Sequence, residues 1–315
     1  MNQIRILTIL YASILLWITA CTTDHYKSDL LSDAIHAVDT NPQEALKILE
    51  GITPEYLYDS DKDQYMQFVV TLTQARYMDD QDITGDSLIL DVQRYFARTR
   101  NYEMAARAGY YAAIYWYEGE AIGKAVKYWQ AAFDNAEKAG NDLFMTKSAY
   151  SLGMSYFKQE QWEDALPHCL KALELYKNES NTEHNKLDLI EMLGQIYRKQ
   201  QDFEQAYQYF DNGLEAAKKI NNTTYESRFL RNKGIIHRDK GEYRQAKKYF
   251  DLALSKQPEP EDLLLIYLSF AKLYRTMNLP DSTRYYLNTI EDGIQKITYP
   301  NTRRDMYAEL FTYYK

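Results

Sequence analysis

Cysteine is nearly missing from this 315-residue chain: two residues, Cys21 and Cys169, cannot build a disulfide framework. Glycine and proline are scarce too, at 12 and 7, which excludes the turn density of an all-β sandwich and the composition of a disordered linker. No basic excess exists. Lys and Arg number 37 against 45 Asp and Glu, a net charge of −8, where general nucleic-acid binding needs a basic footprint. Beyond residue 20 no apolar run approaches the ~18 residues of a membrane helix. What is present is 45% hydrophobic residues, enough for a core, and 30 tyrosines against 4 Trp and 11 Phe.

The N-terminus has one early positive charge, Arg5, and a largely apolar run from Ile6 to Trp17. The run is too short to span a bilayer comfortably and fits the apolar region of a secretory signal. It ends in Ile18-Thr19-Ala20-Cys21, which resembles the bacterial lipobox. That resemblance implies cleavage before Cys21, diacylglycerol on its sulfur and acylation, such as by palmitate, of the new N-terminus. Residues 1–20 are then a lipoprotein signal peptide, 21–28 a lipidated tether and 29–315 the folded body. The expected location is the cell envelope, anchored to the outer membrane on its periplasmic face. Cys169 would be the lone remaining thiol.

A repeat organises the body. Leu152-Gly153-x-x-Tyr156, Leu193-Gly194-x-x-Tyr197 and Lys233-Gly234-x-x-His237 are each followed, twelve residues after the glycine, by Ala165, Ala206 and Ala246. Four residues on come Cys169, Phe210 and Phe250, and three further Ala172, Gly213 and Ala253. This resembles the tetratricopeptide repeat, a helix–turn–helix unit whose small residues mark close helix crossings and whose large ones fill holes between hairpins. Weaker copies flank these three. Ala112 and Tyr115 lead to Ala125, Trp129 and Ala132, and Ala271 and Tyr274 lead to Thr283, Leu287 and Ile290. Further upstream, Asp63 to Met78 and Asp86 to Arg98 read as a hairpin, as do Asp29 to Asp39 and Pro42 to Gly51. The steps from Ala125 to Ala165, Ala206, Ala246 and Thr283 are 40, 41, 40 and 37 residues, longer than the usual repeat of about 34.

The expected fold is therefore all-α: a right-handed α-solenoid of about seven such hairpins plus a C-terminal helix, capped by Asn301 and running from Thr302 to Tyr314. Pro167, inside a second helix, should break one hydrogen bond and kink it. Much of the tyrosine excess falls on repeat slots: Tyr115, Tyr156, Tyr197 and Tyr274 in the first helix, and Tyr128, Tyr209, Tyr249 and Tyr286 in the second.

Catalytic groupings are hard to find. His168 and Cys169 are adjacent, so on a helix they point about 100° apart. Asp164 with His168 and His184 with Asp188 have i,i+4 spacing, which reads as surface helix contacts before it reads as metal ligation. No phosphate-binding glycine loop, G-x-S-x-G or Cys-x-x-Cys occurs. The chain is expected not to be an enzyme and to need no cofactor or metal.

In the family it resembles, the first helix of each repeat lines a concave groove, with ligand-facing residues at repeat positions two, five, nine and twelve. Setting the small residue Gly153, Gly194, Gly234 or Ala271 at position eight places Tyr150, Phe157, Arg198, Arg228, Arg231, Arg238, Lys272 and Arg275 on that face. Asp188, Glu191, Ile235 and Leu268 share it, and Trp116 takes position twelve upstream. Arginines offer planar, bidentate recognition of carboxylates, and aromatics add apolar area. The expected partner is a protein or peptide segment of acidic character, with the membrane engaged through Cys21 and no nucleic acid.

The known two-repeat clamp for chaperone tails is not matched, since Tyr150 and Met154 replace its Lys and Asn. The alternative is the sensor portion of a membrane signalling or transcriptional regulator. Relatives with an Ile-Thr-x-Asp-Ser-Leu segment like Ile83 to Leu88 often continue into a transmembrane helix and an effector domain, and here neither follows.

Overall fold

The described residues of the computed structural model are 29–178, 182–297 and 300–315, apart from the side chains at 178, 296, 300 and 301. The signal peptide, Cys21 and the tether lie outside them. Helices make up nearly all of what is described, and no strand occurs among these residues. In order they are α1 (29–37), α2 (Pro42–Glu50), α3 (Pro54–Ser60), α4 (Lys62–Met78), α5 (Ile89–Thr99), α6 (Tyr102–Glu118), α7 (Ile122–Ala139) and α8 (Asp142–Lys158). Then come α9 (Trp162–Leu175), α10 (Glu183–Lys199), α11 (Phe203–Lys219), α12 (Thr223–Asp239), α13 (Tyr243–Leu254), α14 (Pro260–Thr276), α15 (Pro280–Gly293) and α16 (Pro300–Tyr314). This is the all-α solenoid class, with the expected hairpins and one unforeseen short helix, α3.

Helix starts follow local chemistry. Asn41, Asp61, Asn101, Asp202 and Asn222 each accept a hydrogen bond from a first-turn N–H, so short polar side chains set the entry points of α2, α4, α6, α11 and α12. The turns between first and second helices share one geometry. Glu120, Glu160, Gln201, Gly241 and Asn278 all have φ between 54 and 77°, and each lies five residues before the small residue of the second helix. In the Glu160 turn, Gln161 N–H donates to Tyr156 O at 3.0 Å and Glu160 N–H to Phe157 O at 3.0 Å. That is a Schellman ending, which takes up carbonyls a helix end leaves open.

The repeat's small residues are seats for rings. A Cβ on Gly194 would lie 2.3 Å from Phe210 Cε1, one on Gly234 2.5 Å from Phe250 Cε1, and one on Gly213 2.3 Å from Phe229 Cζ. Phe210, Phe229 and Phe250 are fully buried in a common core with Leu187, Ile266 and Phe270. The tyrosine slots form pairs twelve residues apart. Tyr156–His168, Tyr197–Tyr209, His237–Tyr249 and Tyr274–Tyr286 stack at 5.6, 5.4, 5.1 and 5.8 Å between ring centroids, within 15° of parallel. Lys233, which stands where the Gly153 and Gly194 repeats have Leu, is buried against the Tyr207 and Tyr249 rings at 4.3 and 5.0 Å and is ion-paired with Asp211. Burial alone would lower its pKa, but Asp211 and Tyr207 outweigh it and hold it above the ordinary value.

Residue contacts divide the chain into two units, Met1–Ser155 and Tyr156–Lys315, with α8 running through the division. In the first, Arg107 is 4% exposed and donates to Gln74 Oε1 at 2.5 Å and to Asp39 Oδ2 at 3.0 Å, tying α6 to α4 and to the end of α1. The segment Ile83 to Leu88 is part of this scaffold: Ile83 is fully buried and Asp86 pairs with Arg76 at 2.9 Å. Residues 84–88 form turns, so α5 begins at Ile89 and not at Asp86. In the second unit, α16 begins at Pro300, which puts Asn301 inside the helix and not before it. Helix α9 continues through Pro167, five residues past its first residue, so the missing N–H leaves the Glu163 carbonyl without its helical donor.

Candidate functional site

In the second unit the first helices α10, α12 and α14 present the residues assigned to the groove face. Position twelve carries Arg198, Arg238 and Arg275 in succession. None is isolated. Arg198 Nη1 meets Asp239 Oδ2 at 2.7 Å, Arg238 Nη2 meets Asp239 Oδ1 at 2.7 Å, and Arg275 Nε pairs with Glu309 of α16.

Arg228 and Arg231 converge on Glu191, whose side chain is 3% exposed, at 2.6 and 4.0 Å. Asn232 Nδ2 also donates to Glu191, at 2.8 Å, and Gln195 Nε2 at 3.2 Å. Glu191 is thus a buried carboxylate surrounded by donors, the condition under which burying a charge is tolerated. Alongside it, Tyr225 Oη donates to Asp188 at 2.6 Å while Arg228 lies 4.9 Å from the Tyr225 ring centre. Burial raises the carboxyl pKa of Asp262, against the pull of Arg231 and Arg228. It lowers that of Arg231 in spite of Glu191 and Asp262.

The strip read from the sequence as a row of cations is therefore an interleaved network. Its carboxylates divide it. Asp188 and Glu191 pair with Arg228, and Glu191 with Arg231, whereas Arg198 and Arg238 share Asp239 and Arg275 pairs with Glu309. Lys272 forms no ion pair among the described residues. Asn232, Asp239 and Asp262 lie outside the four-position ligand map, and Glu309 lies on α16, to which the map was not extended. An acid directly after Arg238 was the one visible signal for Asp239. Leu268 of that map is buried in the core with Leu264, Leu287 and Met306 and does not belong to the face.

Phe157 is half-buried and packs edge-on against Trp162 at 5.3 Å. In the first unit, Trp116 is half-buried with Lys124 Nζ 3.7 Å from its ring centre, and Tyr150 is likewise half-buried. Chemistry-bearing side chains elsewhere are engaged in packing. His168 stacks on Tyr156, and burial pushes the fully buried Cys169 thiol up to about 12, far from the thiolate a nucleophile needs. Among the described residues no group of three His, Cys, Asp or Glu could hold a metal ion, and no helix is long and apolar enough to cross a membrane.

Residues 144–219 and 188–259 match the tetratricopeptide repeat family model. Over this stretch the chain is similar to the tetratricopeptide repeat. No curated protein sequence matches it significantly. Among solved structures it is similar to the apo quorum sensor NprR from B. thuringiensis, with TM-score 0.65 and 16% identity over 93% of this chain and 82% of that one. Apo RapI gives TM-score 0.64 and 11% identity over 92% and 82%. NprR in complex with its cognate peptide NprX gives 0.63 and 17% over 93% and 84%. Identities this low establish a shared fold.

Proposed function

We propose that this chain is a lipid-anchored, non-catalytic tetratricopeptide scaffold at the bacterial cell envelope, and that its helix-A face binds a protein or peptide segment of acidic character. The observation that carries the reading is the row Arg198, Arg238 and Arg275, one arginine per repeat at a single position, joined by Lys272. Such a row places one cation on each successive hairpin, and repeat surfaces of this kind are binding surfaces. Similar folds are seen with peptides bound: NprR with NprX, and the Rap conjugation regulator of plasmid pLS20 with the Phr* peptide. Phe157, in the same unit, supplies apolar contact.

The second reading, a sensor for a membrane signalling or transcriptional regulator, draws on the likeness to the quorum sensor NprR.

Panning a random eight-residue peptide display library against the protein tests the binding. Enrichment of Asp- and Glu-bearing peptides that is lost with Arg238→Glu supports the reading, and no enrichment, or enrichment untouched by the substitution, overturns it. Arg238 is a better target than Arg231, whose removal would strip a buried partner from Glu191. The anchor is tested separately. Cys21→Ser should move the protein from the membrane pellet to the soluble fraction, and retention in the pellet would refute lipidation at Cys21.

A further inference from the structure

At the last step of the second unit, the arginine at position twelve of one first helix meets the residue at position nine of the next. At the α14–α16 step these are Arg275 and Glu309, and they pair, with Glu309 5% exposed. At the α10–α12 step position nine is Ile235, and Arg198 reaches Asp239 at position thirteen. At the α12–α14 step both acceptors are missing: position nine is Lys272 and position thirteen is Thr276. Arg238 turns back to Asp239 of its own helix, using Nε and Nη2, and Nη1 has no acceptor among the described residues.

Lys272 is half-buried and without an ion pair. Burial holds its ammonium below the ordinary pKa; Glu309 and Asp305 on α16 oppose this, and Arg238 on α12 and Arg275 on its own helix add to it. Arg238 already has one anion in Asp239, so what this step leaves open is Arg238 Nη1 and the partly desolvated Lys272, and a further anion would stabilise both.

We propose that the α12–α14 step is a carboxylate-binding site, in which Lys272 Nζ and Arg238 Nη1 together take one carboxylate of a bound peptide. This rests on the peptide-binding reading above and specifies where along the row the ligand's charge is held. The carboxylate belongs to an acidic side chain or to the peptide's own C-terminus, which present the same two oxygens.

The test uses fluorescence anisotropy with labelled hexaglutamate, prepared as the C-terminal amide and as the free acid, and hexaglutamine amide as control. Wild type should bind both hexaglutamates and not the control. Lys272→Gln should weaken binding about tenfold, the loss of one charge-assisted contact. Lys272→Glu rebuilds at this step the pairing Arg275 has with Glu309. It should abolish binding while raising Tm by about 2 °C. Tighter binding of the free acid assigns the carboxylate to the chain end, and equal binding assigns it to side chains.

Failure of wild type to bind hexaglutamate, or affinities within twofold for wild type and Lys272→Gln, would overturn the site. If panning meanwhile yields neutral peptides sensitive to Arg238→Glu, the groove binds peptides and the carboxylate site alone is wrong. If panning yields nothing, the peptide-binding reading itself falls.

Discussion

Helices α12 and α16 carry the same signature, a small residue at position eight and an aromatic ring at position eleven, and they meet opposite fates. On α12, Gly234 is covered by Phe250 and His237 is stacked on Tyr249. On α16, Ala308 is exposed and Phe311 is 67% exposed, while Met306 and Leu310 of the same helix are buried in the core with α14 and α15. The signature thus marks a seat. On α12 a second helix, α13, occupies that seat, whereas among the described residues nothing covers it on α16.

Substitutions can break this contrast. The largest effect is expected from Phe250→Ala, which empties a fully buried ring site and should cost about 3–5 kcal/mol, against a change within about 0.5 kcal/mol for Phe311→Ala. Urea unfolding of the two variants measures the difference, and equal losses would show that Phe311 is packed in solution. Next is Gly234→Leu. Its Cβ alone would overlap the Phe250 ring, so a cost of about 2–3 kcal/mol is expected, while Ala308→Leu should be close to neutral.

These seats were legible from the sequence because their residues recur at fixed spacing: Gly194 with Phe210 and Gly234 with Phe250 need no structure to be paired. The candidate face was legible in another sense. Position fixed which side of α10, α12 and α14 carries Arg198, Arg228, Arg231, Arg238, Lys272 and Arg275, but not their partners. Glu309 meets Arg275 from α16, and Asp262 in the first turn of α14 feels Arg231 and Arg228 on α12; a template read within one repeat does not pair residues across helices. Helix α3 was missed for a simpler reason: it lies outside the repeat.

The turns give a third, smaller contrast. Gly241 and Gln201 stand at equivalent left-handed positions, with φ of 77 and 64°, and nothing lies within 4 Å of a Cβ added to Gly241. Gly241→Gln should therefore cost about 1 kcal/mol from backbone conformation alone, and Gln201→Gly should change stability in the opposite direction. Opposite signs in thermal unfolding would establish that one turn geometry serves both repeats.

The smallest effect separates two stacked pairs. Tyr156–His168 and Tyr197–Tyr209 have nearly the same geometry, but only the first contains a group that titrates near neutrality. Burial lowers the His168 pKa, with Asp164 opposing it weakly. The unfolded chain then binds the proton more readily than the folded one as the pH falls below about 6.5, so this residue costs stability on acidification and nothing above that range. His168→Tyr reproduces the Tyr197–Tyr209 pair and removes the titration. Carboxylates contribute to the slope of Tm between about pH 7 and pH 5 in both proteins, so the informative quantity is the difference. The variant's slope should be the shallower one, and identical slopes would mean that His168 is as well solvated in the folded protein as in the unfolded chain.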